Sequence, residues 1–136
     1  MRACGIELSA SEARIVLLDG AKASYALIDV KPRKLLIIDD ESQAEVQAFR
    51  DALYAFLRET GVERVVIKKR GKSGKYAGGA VGFKLEGIAQ LYAECPVVLC
   101  APQTIAAALR RHPTELPEAL PKFQRVAFET AYSALP

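Results

Sequence analysis

A cluster of cations and glycines between residues 68 and 79 offers the clearest chemistry in this sequence. The segment reads KKRGKSGKYAGG, and five of the eight residues from Lys68 to Lys75 are basic, whereas the formal net charge of the whole chain is only +3. Such concentrated positive charge attracts phosphates and releases counterions when nucleic acid binds. The glycines let backbone amides come close to an anion. We therefore predict contacts to phosphates of DNA or RNA from Lys68, Lys69, Arg70, Lys72 and Lys75.

Tyr76 lies inside the same segment and has a ring on which a base can stack. The segment is not a nucleotide-binding P-loop, because the glycine that this motif requires five positions before Gly71 is Val66. The competing interpretation is a solvated, exposed loop whose charges only keep the protein in solution. Two features favour anion binding: the glycines are dense, and the segment follows an apolar strand-like run, at whose carboxyl end α/β proteins tend to bind ligands.

The elements that position this segment begin with strands. Residues 3–8 and 13–18 are short apolar runs, and the alternation over residues 24–30 predicts a third strand. Asp19-Gly20 is a hairpin signal and predicts the turn between the second and third strands. Residues 34–38 follow a proline, so this run is either a continuation past a kink or an additional edge strand.

Helical spacing begins after this region. Ser42 and Glu45 match the capping-box pattern at a helix start, and apolar residues recur at helical spacing until Gly61. Residues 62–67 form an apolar, β-branched run that is typical of a central strand. The remaining patterns predict a helix over residues 83–92, a strand over 96–100, a helix from 102 and a closing helix over 123–134.

The order of these elements predicts the fold class. Three antiparallel strands followed by alternating helices and strands indicate an α/β protein with a mixed five-stranded sheet and helices on both faces. A length of 136 residues without a break in composition suits a single domain spanning residues 1–136.

The composition excludes several classes of protein. Three cysteines without a C-x-x-C pair, and one histidine, provide neither a disulfide framework nor a zinc-ligand pattern. No apolar run approaches the roughly 20 residues of a membrane-spanning helix. The first residues lack the extended apolar region of a secretory signal. We therefore expect a cytoplasmic protein with no membrane partner.

Several stretches resemble the RuvC-type Holliday-junction resolvases of the ribonuclease H-like superfamily. Residues 4–7, CGIE, are similar to the opening strand of that family, which begins with a glycine, an aliphatic residue and an acidic residue. Residues 64–67 fall where its fourth strand runs, and residues 83–87, FKLEG, resemble the helix that follows. Residues 97–105 resemble the fifth strand and the next helix, and residues 128–131 the closing helix. The whole chain more closely resembles a small family of uncharacterised bacterial proteins placed in this superfamily, which implies a ribonuclease H-like fold.

The resemblance also implies a metal site. Active members of the superfamily cut phosphodiesters with two divalent ions, Mg²⁺ or Mn²⁺, held by acidic side chains. On this basis Glu7 in the first strand and Glu129 in the closing helix are the expected metal ligands and catalytic residues. The carboxylate expected at the end of the fourth strand is replaced by Lys68 and Lys69, and an ammonium group repels Mg²⁺. Glu86, on the following helix, is the candidate to take over that catalytic role.

Three functions therefore stay open. The one we favour is nucleic-acid binding through the basic segment, non-catalytic or with a modified metal site, and with Glu7 facing the same cleft. The second is a Mg²⁺- or Mn²⁺-dependent nuclease that acts on structured DNA or RNA through Glu7, Glu86 and Glu129. The third is a non-catalytic interaction module, with a homodimer as its expected assembly.

Overall fold

The computed structural model describes residues 1–75 and 77–136, and its elements follow in the predicted order. Three antiparallel neighbours come first: β1 (Arg2–Ser9), β2 (Glu12–Ala21) and β3 (Ser24–Ile28). A short strand, β4 (Lys34–Leu36), pairs with the beginning of β2. The elements that follow are α1 (Gln43–Glu59), β5 (Arg64–Lys68), α2 (Ala80–Gln90), β6 (Val97–Cys100), α3 (Pro102–Arg111), a 3-10 turn (Lys122–Gln124) and α4 (Arg125–Ala134).

The strands form one mixed sheet in the order β3-β2-β1-β5-β6, in which β5 and β6 run parallel to β1. The expected mixed sheet with helices on both faces is confirmed. The described sheet has six strands instead of five, because residues 34–36 form an edge strand of their own. Of the two alternatives for residues 34–38, the additional edge strand is therefore correct, and the continuation past a kink is not.

The alternation of side chains along β1 separates two hydrophobic layers. Cys4, Ile6 and Leu8 belong to the core that α1 and α2 cover, whereas Ala3 belongs to the core under α4. A Cβ atom on Gly5 would lie 2.5 Å from the amide nitrogen of Ala131, so α4 rests directly on the backbone of β1. By the same alternation, the side chain of Glu7 lies on the α4 side of the sheet.

The predicted turn at Asp19-Gly20 is wrong. β2 continues to Ala21, and Gly20 is paired with Tyr25 inside the antiparallel ladder. The amide of Gly20 donates to the carbonyl of Met1 at 3.0 Å, which keeps this residue in the sheet. Its φ of +129° explains why a glycine is needed there. The reversal instead occurs at residues 22–23.

The start of α1 agrees with half of the capping-box pattern. The hydroxyl of Ser42 accepts from the amide of Glu45 at 3.3 Å, as predicted. The carboxylate of Glu45, however, accepts from the amides of Ile38 and Asp39, at 3.1 and 3.0 Å. The side chain of Glu45 therefore orders the residues before the helix and not the cap itself.

Cys4 lies inside the core, where burial raises the pKa of its thiol. Cys95 and Cys100 are half-buried, and all three cysteines are free. Within residues 1–75 and 77–136, no helix combines the length and the apolar character that crossing a bilayer would require.

Candidate nucleic-acid interface

A cavity of about 540 Å³ opens at the carboxyl ends of the parallel strands β1, β5 and β6. The three strands bring different parts of the chain to the same edge of the sheet: Glu7 near the end of β1, Lys68 at the end of β5 and Pro102 at the start of α3. We call it the basic cavity. The residues that line it are Glu7, Leu8, Lys68, Lys69, Arg70, Gly71, Ser73, Gly74, Lys75 and Pro102.

One wall of the cavity is the basic loop, residues 69–79, which joins β5 to α2. Where the loop leaves the sheet, the amide of Lys69 donates to the carbonyl of Cys100 at 2.8 Å. The amide of Gly78 then donates to the carbonyl of Gly71 at 2.9 Å. Gly74, at the far end of the loop, has a φ of +91°, a conformation that favours glycine. Residues 71–75 are exposed, as expected, and the hydrogen bond between Gly78 and Gly71 closes the loop at its base.

Three lysines at or near this wall have no acidic partner in the described chain. Within the described part of the chain, no carboxylate lies within 4.0 Å of the ammonium groups of Lys68, Lys69 or Lys72. Lys68, Lys69 and Lys75 line the cavity, whereas Lys72 is exposed on the loop and is not among the lining residues. Tyr76 lies outside the described residues, so its stacking on a base stays a prediction.

Glu7 is the acidic member of the described lining, and its carboxylate already has a cationic partner. Its carboxylate accepts from the guanidinium of Arg14 on β2 at 3.3 Å. Arg14 also donates to Glu12 at 3.0 Å. Burial by itself would lower the pKa of Arg14, but the hydrogen bond to Glu12 and the charge of Glu7 raise it above its usual value. Arg14 therefore keeps its positive charge beside Glu7.

The sheet register places Lys68 next to Glu7. Ile6 of β1 pairs with Ile67 of β5, so the following residues, Glu7 and Lys68, are neighbours on adjacent strands. Val65 and Ile67 belong to the core under α1 and α2, and alternation turns the side chain of Lys68 to the α4 side, the side of Glu7. A lysine thus stands where the resemblance implies a carboxylate.

The three carboxylates that the resemblance suggested are distributed over two layers. Glu86 is buried on α2, which packs on the α1 side of the sheet, whereas Glu129 is half-buried on α4, on the other side. Neither is among the residues that line the basic cavity. Among the residues that the structure describes, no three or more His, Cys, Asp or Glu side chains come together in a group that could hold a metal ion.

The residues of the cavity also do not fit a pair of divalent ions. Such a pair needs several convergent carboxylates. Among the described lining residues, Glu7 is the one carboxylate. It is paired with Arg14, and the neighbouring position carries the ammonium group of Lys68. The cation-rich lining suits an anion.

Arg70 has a position that the sequence interpretation missed. Its guanidinium lies over the ring of Phe83 on α2, 4.6 Å from the ring centroid, although the residue also lines the basic cavity. A Cβ on Gly78 would lie 2.7 Å from its Nη1 atom, and one on Gly82 would overlap the same group. The signal in the sequence was the pair Gly78 and Gly82, just before and inside the first turn of α2, because two positions without side chains leave room for a flat guanidinium.

The architecture is that of the ribonuclease H-like fold. The structure of RuvC from Thermus thermophilus matches with a TM-score of 0.74 and 15% identity, covering 98% of this chain and 92% of RuvC. T. thermophilus RuvC in complex with a Holliday junction substrate matches with a TM-score of 0.69 and 15% identity, covering 98% and 91%. A Fowlpox virus resolvase in complex with Holliday junction DNA matches with a TM-score of 0.51 and 10% identity, covering 98% and 91%. The expected similarity to RuvC-type resolvases is confirmed at the level of the fold.

The chain belongs to the family described as protein of unknown function DUF3010, whose model matches residues 1–134. No curated protein sequence matches the chain. Identities of 10% to 15% to the solved structures show a shared fold alone. The roles of individual residues must therefore be argued from their own chemistry.

Proposed function

We propose that this chain binds nucleic acid by holding the phosphate backbone in the basic cavity, and that it does not cleave what it binds. The observation that carries the proposal is the lining of the cavity. Cations from β5 and the basic loop line a space in which the one carboxylate among the described lining residues, Glu7, is paired with Arg14. Its volume of about 540 Å³ falls in the usual range of ligand sites, roughly 300–1,000 Å³.

Electrostatics favour a phosphate over a metal ion here. Lys68 and Lys69 have no acidic partner within 4.0 Å in the described chain, so binding a phosphate would not require breaking an existing ion pair. A concave site with an excess of positive charge also concentrates its field lines, which raises the rate at which an anionic ligand arrives. We assign Lys68, Lys69 and Lys75 to phosphate contacts in the cavity, and Lys72 to contacts beyond its rim.

Two structural neighbours guide the choice of a first ligand. The T. thermophilus RuvC and the Fowlpox virus resolvase were each solved with Holliday junction DNA. We therefore suggest that a four-way DNA junction be tested first, beside double-stranded DNA, single-stranded DNA and an RNA hairpin. We expect affinity for the phosphate backbone of several of these, because the contacts assigned here read charge and not base sequence.

The experiment measures binding by fluorescence anisotropy while the salt concentration is raised from about 50 to about 200 mM. We expect the affinity of the unmodified protein to fall steeply over this range. The variant Lys68→Gln/Lys69→Gln should bind more weakly, and its logarithmic salt slope should be smaller by about two, since two phosphate contacts are removed.

The matched control is Arg110→Gln/Arg111→Gln, which removes the same charge at the other end of α3, away from Pro102 and the basic cavity. Its salt slope should equal that of the unmodified protein. Equal losses of affinity in both double variants would mean that net charge alone drives binding, and the basic cavity would not be the binding site. An absence of binding to every probe at low salt would overturn the proposal and favour an interaction module.

A further inference from the structure

Two charged side chains beside α2 have buried atoms that find no hydrogen-bond partner in the described part of the chain. The side chain of Glu86 is 7% exposed, and its Oε1 atom has no partner among the described residues. The Nε and Nη2 atoms of Arg70 are also buried and unpartnered within the described chain. Desolvated charges without partners are costly, so opposite charges in this state attract each other strongly.

The geometry of α2 places these two groups on the same face of the helix. The guanidinium of Arg70 lies over Gly82 and on the ring of Phe83. Glu86 follows Gly82 by four residues, which places it on the same helix face one turn later. Helical side chains lean toward the N-terminus of their helix, and for Glu86 this is the direction of Gly82. Gly82 has no side chain that could separate the two charges.

We propose that Glu86 is a positioning residue that holds Arg70 on α2 through a bridging water molecule, since no nitrogen–oxygen pair between the two side chains lies within 4.0 Å in the described chain, and that it thereby holds the basic loop in the shape that presents its lysines. Arg70 lies one residue before Gly71, where the loop closes on Gly78. Fixing the guanidinium on α2 therefore fixes the base of the loop. This inference rests on the proposed function, because the loop is the wall of the basic cavity.

We call this contact between Glu86 and Arg70 the latch. Its test needs no ligand. Amide hydrogen exchange, followed by NMR in the free protein, reports the hydrogen bonds that close the loop: Gly78 to Gly71 at 2.9 Å and Ala77 to Gly74 at 3.2 Å. In Glu86→Gln and in Arg70→Met, we expect the amides of Gly78 and Ala77 to exchange about tenfold faster, a typical effect of losing one interaction with a charged group. The amide of Gly20, which donates to Met1 in the sheet, should be unchanged in both.

A double variant separates a latch from two independent structural effects. If Glu86 acts through Arg70, then Glu86→Gln/Arg70→Met should exchange no faster than either single variant. Additive increases would overturn the proposal. Arg70→Lys keeps the charge, but the lysine side chain cannot lie flat on the glycines, so the loop amides should exchange at an intermediate rate. If Glu86→Gln does not fold, the Arg70 variants still test the proposal. The matched control is Glu59→Gln, at the exposed end of α1, and it should leave the loop amides unchanged.

Binding to the four-way junction then distinguishes the two proposals. Glu86→Gln should weaken binding several-fold with an unchanged salt slope, because the lysines remain and only their presentation is disturbed. Loop amides that respond as expected in a protein without nucleic-acid affinity would leave the latch standing and remove the proposed function. Intact binding together with loop amides that do not respond to Glu86→Gln would remove the latch and leave the function.

Discussion

The charged groups at the two ends of β1 are arranged in opposite ways. At the amino end, the guanidinium of Arg2 donates to Asp19 at 2.9 Å and to the carbonyl of Thr60, at the end of α1, at 2.7 Å. The backbone amide of Arg2 donates to the carboxylate of Glu63 at 2.7 Å, and the amino group of Met1 lies 4.0 Å from Asp19. The groups at this end satisfy one another and join β1 to its neighbours.

At the carboxyl end, Glu7 and Arg14 are paired, but Lys68 and Lys69 have no carboxylate within 4.0 Å in the described chain. Like charges held together without partners oppose folding. The difference between the two ends therefore separates two uses of charge: ion pairs that join strands at one end, and an excess of cations that suits an anionic ligand at the other.

The largest change that we predict acts on the centre of β1, between these two ends, where α4 lies directly on the strand. In Gly5→Ala, the new methyl group would lie 2.5 Å from the amide nitrogen of Ala131. We expect a loss of about 3 kcal/mol or more in the free energy of unfolding, measured by urea denaturation. Gly87→Ala is the matched control, since a Cβ there meets nothing within 4 Å, and it should be neutral or stabilising. Similar losses in both variants would contradict the close contact of α4 with β1.

The second prediction concerns a substitution that removes contacts only at the amino end of β1. Arg2→Met removes the bonds to Asp19 and Thr60, and we expect a loss of about 1–2 kcal/mol of unfolding free energy with unchanged nucleic-acid affinity. Arg50→Met, on the exposed face of α1, should change stability by less than about 0.5 kcal/mol. If Arg2→Met is fully folded but binds nucleic acid more weakly, the two ends of β1 are not independent of each other.

The third prediction concerns the carboxyl end alone. Lys68→Met should leave the unfolding free energy within about 0.5 kcal/mol of the unmodified value, because no ion pair within 4.0 Å is lost. Its affinity for a four-way junction should fall about tenfold near physiological salt, with a salt slope smaller by about one. Unchanged affinity, or a large loss of stability, would place Lys68 with the structural charges of the amino end.

The smallest expected effect separates binding from cleavage. Glu7→Gln removes the lining carboxylate, and we expect nucleic-acid affinity to rise about two- to threefold because repulsion of the phosphates is reduced. Gel assays of a four-way junction and of an RNA–DNA hybrid with Mg²⁺ or Mn²⁺ should show no cleavage by either protein. Cleavage that disappears in Glu7→Gln would establish the nuclease alternative.

The local patterns of the sequence were sufficient for most of the fold. The helix from Ser42, the central strand before Lys68 and the alternation of strands and helices all follow from periodicities within a few residues. The exceptions were local signals overruled by distant partners. Asp19-Gly20 has turn chemistry, but its backbone is held in the ladder by Met1 and Tyr25. Glu45 has the spacing of a capping box, but it binds the chain before the helix.

The candidate site divides in the same way. The concentration of cations after β5 could be read from composition, because charge density is a property of a short stretch. The side chains that share a cavity depend on strand register, and one residue of slip would turn Lys68 away from Glu7. The separation of Glu86 from Glu129 depends on which side of the sheet each helix covers, which neither helix encodes by itself.

The sequence by itself determined the order of the elements, the two-sided sheet and a cation-rich loop at a strand end, since each depends on spacing along the chain. Only the tertiary structure decided that Lys68 stands beside a Glu7 that is paired with Arg14, that the other two carboxylates lie elsewhere, and that Arg70 turns onto α2. These outcomes depend on pairings between residues far apart in the chain, and such pairings are selected by the packing of the whole molecule.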